Sequence, residues 1–141
     1  MCREEPQDDL RRRSMLSGFA WAVTVVNMRQ PVIMETLLKY HGEEFAENDA
    51  FSNGVMSSMM MRYDTTPDDP DIDRFRNYQP SSNDPNVIER WNHLVKEPCE
   101  KALEGFYPVL KERHHLEEIF HYQDLAALVK NLKKSTHSKG A

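Results

Sequence analysis

Three observations predict an all-α fold, a single-domain helical bundle of about five helices with one long acidic, proline-rich loop. Apolar residues recur at three- and four-residue intervals over most of the chain. No strong strand-turn-strand pattern and no repeat at the spacing of solenoids or propellers interrupts them. Prolines and glycines fall between the periodic segments, where they act as starts and stops. The 141 residues, 39% of them hydrophobic and 29% charged, fit one domain, residues 1–141. Such a domain buries about 70% of the surface its unfolded chain exposes and needs no disulfide or metal to be stable.

Residues 1–7 read as a flexible start. Asp8 or Asp9 then caps a first helix whose positions Leu16, Phe19, Ala20, Val23 and Val26 recur at helical spacing. Its β-branched run Val23-Thr24-Val25-Val26 also suits a strand. Gln30-Pro31 breaks this segment, and Pro31 opens a second helix with Ile33, Met34, Leu37, Leu38 and His41 on one face and Gly42 as its stop. Phe51, Val55, Met59 and Arg62 define a third helix, although Asn53-Gly54 is also a turn signal near its start.

From Asp64 to Pro85 the composition shifts to Pro67, Pro70, Pro80 and Pro85 among Asp68, Asp69, Asp71 and Asp73, and the segment 64–85 is expected to be a long loop. Such a loop is the first place to look for binding. Asp84-Pro85 starts the next helix, along which Val87, Trp91, Leu94, Val95, Ala102 and Phe106 share a face. Pro98 should kink it or divide it in two, and Gly105 should end it. A last helix is predicted from Pro108 to about Lys134. It bears two apolar stripes, Val109, Leu116, Phe120 and Ala127 on one side and Leu110, Leu125, Leu128 and Leu132 on the other, so it should be touched from two sides. Lys130, Lys133 and Lys134 suit its C-terminal dipole, and 135–141 should be a flexible tail.

Composition also excludes functions. Cys2 and Cys99 form neither a disulfide framework nor a zinc pattern, which points to a reducing, intracellular and cytoplasmic setting. The longest apolar run, Met15 to Met28, is shorter than the ~18 residues of a membrane span. Arg11, Arg12 and Arg13 precede it as in a signal sequence, but Glu4, Glu5, Asp8 and Asp9 are wrong for that role. The formal net charge is -5. Residues 30–83 hold ten acidic side chains against Lys39, Arg62, Arg74 and Arg76, so nucleic-acid binding is disfavoured.

One cluster has chemical potential: His114, His115, Glu117, Glu118 and His121. On a continuous helix His114, Glu118 and His121 fall on adjacent turns of one face, and imidazole with carboxylate suits zinc or iron. Glu118-x-x-His121 occurs once, however, where di-iron bundles need it twice with glutamates from two other helices. Histidines at the margin of a core explain the same residues without metal. Asp68 to Asp73 lacks the glycine and glutamate of an EF-hand. Cys99 is read as a core cysteine, with a dipole-activated thiolate as the alternative. No catalytic residues are assigned, no cofactor is expected apart from that metal alternative, and enzymatic activity is not predicted.

Met56, Met59, Met60 and Met61 form the most unusual run. Methionine fills irregular cores and also furnishes permissive grooves, and four in six positions cannot all point inward from one helix face. The leading expectation is therefore a small helical module for protein-protein interaction, regulation or assembly. Its docking residues are expected to be Met56, Met59 and Met60, or Leu125, Leu128 and Leu132, meeting a partner helix or a second copy. The alternatives are a metal-binding helical protein or enzyme using the last-helix His/Glu cluster, and a viral or mobile-element structural protein that assembles through helical surfaces.

Overall fold

The computed structural model describes residues 6–81, 83–120 and 122–140, with side chains described for 9–134 among them. The architecture is all-helical, with no strand among the described residues. Helix α1 spans Pro6–Val26, α2 Pro31–Phe45, α3 Ala50–Thr65 and α4 Pro70–Arg76. Helices α5 (Pro85–Trp91), α6 (Glu97–Glu100) and α7 (Tyr107–Glu112) run end to end through two wide π-helical stretches, Asn92–Lys96 and Lys101–Phe106. A 3-10 turn, Leu116–Phe120, leads to α8, Leu125–Gly140.

Helix α3 is the centre of the bundle. It packs along α1 and also touches α4, α6, the π-helical stretches and the 3-10 turn. Ala50, Phe51, Asn53, Gly54, Val55, Ser57, Ser58, Met59 and Met60 are all buried. A helix covered on so many sides carries no polar face. Trp91, Phe75, Met34, Leu38 and Leu110 join it in one apolar cluster.

The approach of α1 to α3 is set by Gly54. A Cβ there would stand 2.1 Å from the Ser17 carbonyl oxygen and 2.8 Å from Ala20 Cβ, distances that no side chain survives. Asn53-Gly54 is thus a contact inside a helix, where the sequence also suggested a turn. Gly42 differs from expectation for a similar reason: α2 runs past it to Phe45, and Arg90 lies over it, with Cδ 2.3 Å from where a Cβ would be. Arg90 Nη1 donates to the Leu38 carbonyl at 3.1 Å. Gly105 does not end its helix either, since the π-helical stretch carries the chain through it to α7. The possible strand at Val23–Val26 is helical.

The segment expected to be a loop at 64–85 contains α4. Asp69 Oδ1 accepts from the Asp71 amide at 2.9 Å, and Pro70 follows at the first helical position, a local start signal as strong as the one at Asp84-Pro85. Ile72 and Phe75 anchor this short helix in the core. Its carboxylates are used internally: Arg62 pairs with Asp69, and Asp71 takes Arg29 at 3.2 Å and Arg74 at 2.6 Å.

Both π-helical stretches end two residues before a proline, Pro98 or Pro108. Proline has no amide to give to the residue four back and its ring crowds that carbonyl, so a widened turn accommodates it and the helix continues. The kink or division expected at Pro98 is instead a widened turn in a helix that runs on to Glu112.

The single long helix predicted over Pro108–Lys134 is two helices. The His115 amide donates to the Leu110 carbonyl at 2.9 Å and the His114 amide to the Lys111 carbonyl at 3.2 Å, while His114 holds φ at 60°. This is a Schellman stop with histidine in the left-handed position that glycine usually takes. The flexible start expected at 1–7 falls mainly outside the described residues, α1 beginning at Pro6, and the backbone of the expected tail at 135–141 is helical through Gly140.

Replacing Gly54 by alanine should destabilise the fold by at least about 2 kcal/mol through overpacking. Gly18→Ala, on the same helix pair but with no atom within 4 Å of the new Cβ, should be neutral or stabilise by up to about 1 kcal/mol through helix propensity. Urea denaturation of both variants checks this; equal losses would show that the close approach at Gly54 is not the constraint.

Candidate functional site

Helix α1 has two apolar faces. Ser17, Ala20 and Thr24 are buried, with Leu16 and Val23 packed half-buried against the core. On the opposite side Met15 (68%), Phe19 (45%) and Val26 (74%) are exposed, and Ala22 is exposed between them. Their spacing of four, three and four residues keeps all four on one face of the helix, the spacing of a heptad seam. The sequence reading placed Phe19 and Val26 with the core positions, and it missed Met15 and Ala22 as members of a separate face. The four-three-four interval, offset from Leu16, Ala20 and Val23, is the signal that would have found them.

Beside this face lies a groove of about 500 Å³ lined by Ser14, Ser17, Gly18, Trp21, Ile119, Phe120 and Tyr122. Trp21 and Phe120 form its aromatic wall, their ring centroids 6.3 Å apart. Gly18, open at its Cβ position, lies between the groove and the four-three-four seam around the helix. The far side of the groove is fixed by Asn53. It accepts from Ser17 Oγ at 3.2 Å and donates through Nδ2 to the Gln123 carbonyl at 2.6 Å, joining α1, α3 and the chain just before α8.

The residues predicted to bind a partner lie elsewhere. Met59 and Met60 are wholly buried and Leu125 is 1% exposed, so they fill the core and are not accessible for docking. Met56, Met61, Leu128 and Leu132 are half-buried and packed against it. Two of the four methionines are thus fully buried and two half-buried, because α3 is enclosed on several sides and not along a single face.

The metal set predicted as His114, Glu118 and His121 rested on a continuous helix, which the Schellman stop at His114 removes. His121 lies outside the described residues. The 3-10 turn instead brings His115, Glu117 and Glu118 together, one ligand atom of each within 4.8 Å of the others. Gln123 Nε2 donates to both the Glu118 carbonyl and its Oε1, each at 3.0 Å.

Cys99 is fully buried, and burial pushes its thiol up to about 12, so it is a core residue with no thiolate at neutral pH. No helix among the described residues is long and apolar enough to cross a membrane.

Three tyrosines tie distant elements to carboxylates. Tyr78 donates to Glu35 at 2.5 Å, Tyr107 to Asp64 at 2.7 Å and Tyr122 to Asp49 at 2.5 Å. Ser81 adds its amide to Glu35 at 3.0 Å, and Lys111 Nζ reaches Asp64 at 2.5 Å. Burial, then the bond to the carboxylate, raises all three hydroxyls above the ordinary tyrosine range. Lys111 and Tyr107 together hold Asp64 below the ordinary carboxylate range.

With this geometry in hand, the chain was compared with known proteins. No family model, curated protein or solved structure matches it.

The tyrosine protons are held more tightly in the folded chain than in the unfolded one. Their stabilisation is complete below the ordinary tyrosine value near pH 10 and is lost as pH rises through and beyond it. Urea denaturation midpoints should fall between about pH 9 and pH 11, and the fall should be smaller in Tyr78→Phe and Tyr122→Phe. An unchanged pH dependence in both variants would contradict this assignment.

Proposed function

We propose that this chain is a helical interaction module that self-associates through the outer face of α1. Met15, Phe19, Ala22 and Val26 pack against the same residues of a second copy. The observation that supports this reading is the four-three-four row of exposed apolar side chains, on a helix whose opposite face is already committed to α3. Water-exposed rows of this kind are unusual on a monomer unless they are used.

The row is also matched to itself. In an antiparallel pair centred between Ala20 and Trp21, Phe19 faces Ala22 of the second copy and Met15 faces Val26, setting large against small at each layer. A two-fold interface requires such self-complementarity. The cations at its ends have local partners that lessen repulsion between copies: Arg29 pairs with Asp71 at 3.2 Å, and Arg12 lies in a pocket that also contains Glu44 and Glu47. Covering Met15, Phe19 and Val26 contributes about 1–2 kcal/mol each, the part of full side-chain transfer that their exposure leaves to be gained.

Sedimentation velocity across a dilution series tests this. The wild-type chain should shift reversibly between monomer and dimer, and Phe19→Asp or Val26→Asp should weaken association at least about tenfold, the effect of about 1.4 kcal/mol, with the helical circular dichroism unchanged. A strict monomer at every concentration, or a dimer indifferent to both substitutions, would overturn it.

A further inference from the structure

We infer that the turn between α7 and α8 is a binding site for a divalent ion of the zinc class, with His115, Glu117 and Glu118 as its protein ligands. This site is independent of the α1 face. Three donor atoms already lie within 4.8 Å of one another. Around zinc, ligands at about 2.0–2.2 Å stand about 3.5 Å apart, so side-chain adjustments of about 1 Å close the set on an ion.

The backbone holds the ligands in place before any ion arrives. The His115 amide is tied to the Leu110 carbonyl at 2.9 Å, and the Glu118 amide to the His115 carbonyl at 3.0 Å. In 3-10 geometry residues three apart eclipse one another, which stacks Glu118 over His115. Gln123 fixes one oxygen of Glu118 and leaves the other for the ion, the outer-shell support that metal-binding carboxylates carry.

Charge and donor type select the ion. Among the described residues no lysine or arginine pairs with Glu117 or Glu118, and the half-buried His115 ring has no hydrogen-bond partner. Two carboxylates with a neutral imidazole balance a divalent cation. The imidazole nitrogen favours zinc-class ions over calcium or magnesium, which prefer oxygen alone. Three protein donors leave at least one position for water. Because Ile119, Phe120 and Tyr122 follow directly, the bound ion would stiffen the wall of the Trp21 groove.

The test is calorimetric titration of the chelator-stripped full chain with Zn2+, with Co2+ absorption as a second readout of ligand number. One ion per chain is expected. His115→Ala and Glu118→Gln should each weaken binding at least about tenfold, and Gln123→Ala by about tenfold, as outer-shell losses do. Glu118→Gln keeps the shape of an accessible side chain, so it reads ligation and not folding. His114→Gly should leave the affinity unchanged and raise the melting temperature, since it only relieves the left-handed backbone. Absence of saturable one-to-one binding, or binding indifferent to His115→Ala, would overturn the inference. So would binding lost in His114→Gly or His121→Ala but retained in His115→Ala.

Discussion

The contact of Gly54 with the Ser17 carbonyl and Ala20 is the constraint on which the rest of the structure depends. It draws α1 onto α3 along the length of both helices, and so decides which side of α1 is inside. Once Ser17, Ala20 and Thr24 face α3, the geometry of the helix leaves Met15, Phe19, Ala22 and Val26 on the outside. The adjoining Asn53 uses the same proximity to reach Ser17 on one side and the Gln123 carbonyl on the other. The groove and the outer face are therefore positioned by Gly54, and the chain after the 3-10 turn by its neighbour Asn53.

A second constraint comes from the prolines of the long helix that runs from Pro85 to Glu112. By widening the turns before Pro98 and Pro108 and not stopping there, the chain keeps Leu94, Val95, Ala102, Leu103 and Phe106 on the core across two interruptions. The stop comes at His114, where no proline or glycine stands. The strain of that left-handed histidine is offset by two backbone bonds to α7 and by the burial of Ile119 and Leu125 beyond it.

Much of the fold was legible in the sequence because its signals are local. Pro31 and Asp84-Pro85 depend on residues within one or two turns and open helices where the pattern placed them, and the periodicity of α1 to α3 gives the helices but not the exposure of Phe19 and Val26. What was not legible depends on neighbours distant in the chain. Gly42 looks like a stop until Arg90 is laid across it, and Asn53-Gly54 looks like a turn until α1 is packed there. His114 gave no signal at all, because the left-handed position is rarely filled by a residue other than glycine or asparagine. The positions of the site residues depend on distant neighbours in the same way: Met59 and Met60 are buried because α3 is enclosed on several sides, and the spacing from His114 to Glu118 belongs to one helix only if α7 runs past Glu112, where it ends.

The two tryptophans stand in opposite surroundings. Trp91 has no solvent exposure and is wedged against Phe75 and Tyr78, in the part of the core that joins α4 to α5. Trp21 is at the edge of the groove, touching Phe120. The intrinsic fluorescence of this chain is therefore a sum of two emitters with separate meanings. A red shift from the first marks loss of the whole core, whereas a change in the second, with the first unmoved, marks a local event on the surface of α1. A chain with phenylalanine at one of the two positions isolates each signal, so a local change at the groove and unfolding of the core can be followed in one cuvette without an added label.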